Sequence, residues 1–182
     1  RVHDEPNQEK LNIFKELIGK FGYTLNDKSR SSLAKSFNSL FEKINGKGEQ
    51  TMISMIALRT MSKAIYTTDN IGHYGLGFPY YTHFTSPIRR YPDLMVHRLL
   101  ELYLEDKPSV NKEVFEQRCE HCSNMEKKAA EAERMSVKYK QAEFLLDKIG
   151  GVFEGVISGV SKWGIYVLLD ESKCEGLVPI KA

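Results

Sequence analysis

The period of the apolar pattern changes once along this chain, at Gly150-Gly151, and that change limits the architectures open to it. Before the glycine pair, apolar residues recur at helical spacing; after it, residues 152–180 read as short alternating strands separated by turn residues. Neither one sheet nor one helical bundle satisfies both periods. The expectation is an α+β fold, with a mainly helical part over residues 1–149 and a small β part over residues 150–182.

The helical part divides at its own punctuation. Pro6 and Asn7 precede a stripe of Leu11, Phe14, Leu17, Ile18 and Phe21, and Gly22 stands where that helix should end. Ser31 or Ser32 can cap a second helix with Leu33, Phe37, Leu40, Phe41 and Ile44, closed by Asn45-Gly46-Lys47-Gly48. A third follows at once, its stripe Met52, Met55, Ile56, Met61, Ala64 and Ile65, with methionines as packing rather than cofactor ligands. From 70 to 85 glycines and aromatics replace the helical pattern, which reads as a surface loop feeding a site. Ser86-Pro87 then signals a helix start with the face Leu94, His97, Leu100 and Leu104, although Pro92 makes 86–91 an irregular or tight turn. A helix over 111–121 and a second, long and charged, over 124–148 capped by Ser123 complete this part.

Bulk properties exclude more than they assign. A formal net charge of +2 permits a polyanionic partner without announcing one. No apolar run approaches the roughly 18 residues needed to cross a bilayer, so the chain reads as soluble and cytoplasmic, with no membrane partner. Three cysteines form no disulfide scaffold, which suits a reducing compartment. Cys119-Glu120-His121-Cys122 invites a zinc reading, but no second ligand pair follows and Cys174 lies past the boundary, so no metal site is assigned within the chain. With no initiator Met, and with GLVPIKA still alternating at its end, the chain reads as a fragment.

Chemistry concentrates in residues 71–100, IGHYGLGFPYYTHFTSPIRRYPDLMVHRLL. Adjacent guanidinium groups at Arg89 and Arg90, beside Ser86 at a helix start, make a competent phosphate site. Tyr80, Tyr81, His83 and Phe84 can stack on bases or bond to sugar hydroxyls of a single strand. The plainer reading pairs the arginines with carboxylates and packs the aromatics into the core.

That segment, and Thr85-Ser86-Pro87-Ile88-Arg89-Arg90-Tyr91 above all, closely resembles the signature of the RNB exoribonucleases, the family of ribonuclease II and ribonuclease R. Pro92 and Asp93 favour the ribonuclease R branch, and the likeness covers nearly all of residues 1–148. It implies the C-terminal part of an RNB catalytic domain, in which Arg89 contacts the scissile phosphate and stabilises transition-state charge. Arg90 takes general phosphate contact or structural pairing. A late-helix glutamate near the RNA is Glu133, with Glu131 second. The family's Mg2+ is held by clustered aspartates, and none are clustered here, so the metal is expected on residues outside this chain. Residues 151–182 resemble the first strands of an OB-fold RNA-binding domain, with Phe153, Trp163 and Tyr166 at its RNA-facing aromatic positions; core packing is the alternative for each. Pro179 departs from the histidine that many such domains carry after Gly-Leu-Val. The implied activity is processive 3′-to-5′ hydrolysis of single-stranded RNA to 5′-nucleoside monophosphates by a monomer; the rival is a catalytically inactive RNA-binding adaptor of the same fold.

Overall fold

The computed structural model describes residues 1–180. Five α-helices precede a three-stranded antiparallel sheet, which is an α+β architecture. Two compact units divide inside the last helix: the first spans Arg1–Asn124 and the second begins at Met125.

In the first unit, α1 (Gln8–Gly19), α2 (Arg30–Ile44) and α3 (Gln50–Thr60) enclose one apolar core. Leu11, Phe14 and Ile18 of α1 meet Leu33, Phe37, Leu40 and Ile44 of α2, with Phe14 and Phe37 stacked at 5.9 Å. Asn7 caps α1 as its sequence suggests, its side chain accepting the Lys10 N–H. The helix ends earlier than expected, at Gly19; Gly22 lies in the following turn at φ +80°, a left-handed backbone that favours glycine, and Phe21 is exposed.

Two further boundaries are corrected. The cap of α2 is Ser29 rather than Ser31 or Ser32, because Ser29 and Ser32 satisfy each other's backbone N–H reciprocally. α3 ends at Thr60, so Met61, Ala64 and Ile65 of the expected stripe lie beyond it; inside it the buried positions are Ile53, Ala57 and Thr60, while Met52 is exposed and Met55 and Ile56 are half-buried. The helix therefore turns its compact side inward. Small Ala57 lets α3 approach α1, and buried Thr60 satisfies its hydroxyl on the Ala57 carbonyl at 2.6 Å.

After a looped stretch containing a short 3₁₀ turn (Tyr74–Leu76), α4 runs Tyr91–Leu104. Its buried residues are Pro92, Asp93 and Met95, whereas Leu100 and Leu104 of the anticipated face are exposed. Met95 joins Tyr66 and Cys119 in a second core cluster.

The two helices expected over 111–148 are one, α5 (Lys112–Leu146), 35 residues long. No Gly or Pro interrupts it. Ser123 starts no new helix: its hydroxyl bonds back to the Cys119 carbonyl at 2.9 Å and accepts the Tyr66 N–H at 2.9 Å, so it is satisfied within a continuing helix.

The sheet in the second unit is a meander of β1 (Gly155–Ser161), β2 (Gly164–Leu169) and β3 (Glu175–Pro179). A bulge between Ile157 and Gly159 breaks the first register. At the β1–β2 turn a Cβ on Gly164 would run into the Val178 carbonyl, so only glycine fits there.

Candidate functional site

The loop over 70–79 is held closed by its own polar groups. Asn70 accepts the Gly72 N–H through its side chain and donates to the Pro79 carbonyl, while the His73 N–H reaches the Phe78 carbonyl at 2.8 Å. From Tyr80 to Phe84 exposed and half-buried side chains alternate. Tyr80 points out, 81% exposed, while Tyr81 and His83 turn toward a row of rings. His73 meets Tyr81 edge-on at 5.0 Å, Tyr81 meets His83 at 5.8 Å, and His83 meets Tyr66 at 5.6 Å. Tyr66 Oη and His83 Nδ1 lie 2.9 Å apart. Burial, then the nearby Arg90 charge, pushes His83 below the usual imidazole value, which favours its neutral form. Phe84 stacks on His97 at 4.1 Å.

The chain then tightens into a turn. The Ser86 carbonyl accepts the N–H groups of Arg89 (3.3 Å) and Arg90 (3.0 Å), and α4 begins at the next residue with Arg90 as its N-cap. This is the tight turn expected before Pro92.

Within the turn the two arginines part company. Arg90 faces inward, and its Nη2 donates to Asp93 Oδ2 at 3.0 Å. Arg89 is exposed, its Nη2 donating to Ser86 Oγ at 3.4 Å, and Ile88 beside it is completely exposed. The two adjacent guanidiniums therefore have different surroundings. Of the two roles open to Arg90, the structure provides structural pairing, because Asp93 is fully buried and needs a counter-charge.

Asp93 is the residue that sequence reasoning passed over. Its Oδ2 also accepts the Ser86 N–H at 2.8 Å. Burial works against its charge, but the Ser86 N–H and the Arg90 guanidinium outweigh that and hold the carboxyl below the usual range. An acidic residue in the first turn of a helix was the available signal.

The remaining predicted residues belong to the second unit. Glu133 and Glu131 are exposed on α5. Trp163, exposed, lies in the β1–β2 turn, and Tyr166 on β2 pairs across to Gly159 and Leu177. Phe153 precedes β1 in a cleft with Phe144, Leu145, Lys148, Val152 and Leu169. Among the described residues no group of three His, Cys, Asp or Glu is placed to hold a metal ion. Cys119 instead packs in the second core cluster, with Cys122 against it.

Comparison with known proteins follows the same lines. Residues 1–106 match the family model described as RNB domain. The chain belongs to the RNB domain family. Among RNB relatives, Ribonuclease R 1 of Lactococcus lactis is 38% identical over 185 residues, covering 99% of this chain and 22% of that protein. The Mycoplasma genitalium RNase R structure in complex with ribose methylated single-stranded RNA superposes with TM-score 0.86 at 33% identity, over 99% of this chain and 29% of that one. Yeast Ssd1, described as a pseudonuclease, gives TM-score 0.73 at 26% identity, over 98% of this chain and 23% of its own. The chain thus spans about a quarter of the length of the RNB relatives it matches. Among the described residues no helix is long and apolar enough to cross a membrane.

Proposed function

We propose that this chain is part of a soluble, cytoplasmic, monomeric 3′-to-5′ exoribonuclease that hydrolyses single-stranded RNA processively to 5′-nucleoside monophosphates. The observation that carries the reading is the division of labour in the 86–90 turn: Arg90 is consumed by buried Asp93, while Arg89 is presented outward from a fixed backbone.

An outward guanidinium on a rigid turn presents forked N–H donors to two phosphate oxygens at once. Its positive charge stabilises the negative charge that grows on a phosphate under attack. Exposed Tyr80 offers a stacking face for a base, and Tyr81 and His83 line the approach, with Ser86 Oγ steadying the arginine. Glu133, with Glu131 as second choice, faces RNA from α5, and Phe153, Trp163 and Tyr166 contribute aromatic contacts on an OB-fold surface. Magnesium is assigned to residues outside this chain, where it would activate water.

The test uses single-stranded RNA with magnesium, a 5′ label to read shortening and a uniform label to read release of mononucleotides. The intact polypeptide should shorten the RNA from its 3′ end without accumulating intermediates, whereas residues 1–182 alone should release nothing. Release by the isolated segment would overturn the assignment of the metal to residues beyond it.

The likeness to a pseudonuclease supports a second reading, an inactive RNA-binding adaptor. An intact polypeptide that binds RNA but never shortens it would favour the adaptor.

A further inference from the structure

Asp93 is 0% exposed, and the exoribonuclease reading as stated gives it no part beyond pairing with Arg90. A carboxylate taken wholly out of water is costly unless bonded on all sides, and an apolar residue of similar volume is often no worse for stability. Its bonding is uneven. Oδ2 takes both the Ser86 N–H and the Arg90 guanidinium, while Oδ1 and Arg90 Nε have no partner among the described residues. A group kept under those conditions needs a reason other than packing.

The reason lies in what Ser86 does. Its N–H is anchored on Asp93, its carbonyl holds the N–H groups of Arg89 and Arg90, and its hydroxyl accepts from the Arg89 guanidinium. The bonds that fix where Arg89 starts and where it reaches thus pass through Ser86. Ser86 in turn is held on the body of α4 by Asp93. The same carboxylate draws Arg90 inward, so a second flexible cation does not compete with Arg89 for a phosphate.

We propose that Asp93 is the positioning residue for Arg89, acting through the Ser86 peptide and the Arg90 ion pair to aim the outward guanidinium at the phosphate being cut. The proposal rests on the exoribonuclease reading. It concerns turnover rather than RNA capture, because the 86–90 backbone governs the aim of one side chain and leaves the aromatic contacts untouched.

The experiment is a double-mutant cycle in the full-length protein, with kcat and KM measured on single-stranded RNA and folding followed by thermal melting. Asp93→Asn should lower kcat roughly 10- to 100-fold with KM within about twofold of wild type. In an Arg89→Ala background the same substitution should cost less than about threefold, since nothing is left to aim. A purely structural role predicts the same loss in both backgrounds, and that result would overturn the proposal, as would wild-type kcat in Asp93→Asn. Should Asp93→Asn fail to melt cooperatively, half-buried Arg90 gives the answer: Arg90→Gln should lose turnover and Arg90→Lys should recover most of it, whereas equal activity of the two rejects the idea. A wild-type protein that binds RNA without shortening it removes the exoribonuclease reading and this proposal together. An active wild type with an indifferent Asp93 removes this one alone.

Discussion

Glu116 of α5 holds Thr68 by two hydrogen bonds, its carboxylate taking the Thr68 N–H at 2.6 Å and the Thr68 hydroxyl at 2.5 Å, and it accepts the neighbouring Thr67 hydroxyl at 2.8 Å. This clasp pins the segment that leads from α3 into the aromatic loop onto the first turns of α5. The Thr68 hydroxyl and N–H, with Thr67, hold the Glu116 carboxyl below the usual range. Glu116→Ala should cost about 1–3 kcal/mol of folding stability at pH 7, since it orphans several donors at once. Because the folded value is depressed, the contribution is complete above the unfolded value of about 4.3 and is lost as pH falls through the folded one. Denaturant unfolding at pH 7 and at pH 3 should therefore show a larger difference between wild type and variant at pH 7.

The three-helix core makes a second, simpler prediction. Phe14 is completely buried and stacked on Phe37. Phe14→Ala should destabilise by about 3–5 kcal/mol, whereas Ile13→Ala on the exposed side of the same helix should change stability by less than about 0.5 kcal/mol. Melting temperatures of the two variants check the face assignment of α1 directly.

A pH effect should arise from the ring row. His83 and His73 are both shifted down, each first by burial, then His83 by Arg90 and His73 by His3. A histidine depressed on folding resists protonation in the folded state. Its contribution is whole above the unfolded value of about 6.5 and is lost as pH falls through the folded one. Stability should thus decline between pH 7 and pH 5, and His83→Asn should flatten that decline. An unchanged slope would show that the ring is solvated.

Arg89→Ala in the full-length protein should lower turnover by about 10²–10³-fold while RNA affinity stays within a few-fold. Single-turnover rates and filter binding separate the two quantities. An equal loss in both would recast Arg89 as a binding residue.

Trp163 is exposed in the β1–β2 turn, and the proposed function gives it an RNA contact. Trp163→Ala should weaken single-stranded RNA binding by about 1–3 kcal/mol, the worth of one stacked base. Anisotropy titrations at two salt concentrations would register it as a change in affinity with little change in salt slope, because no charge is removed.

Local spacing alone determined the stripes of α1 and α2 except for Phe21 and Phe41, which are exposed, and it determined the change to strands past Gly150-Gly151 and the turn ahead of α4. These rest on side chains within one or two turns of each other, where the helical and strand periods act. Tertiary structure decided the rest. Whether Ser123 starts a helix or rides inside one depends on the Tyr66 N–H, 57 residues away, which gives its hydroxyl a partner without a break in α5. The methionines of α3 outrank Ala57 in hydrophobicity, yet the close approach of α1 favours the small residue. Arg89 and Arg90 are chemically identical in the sequence. Only the burial of Asp93 distinguishes them, because a charge removed from water must be matched by its nearest available counter-charge, and that draws one guanidinium inward and leaves the other facing solvent.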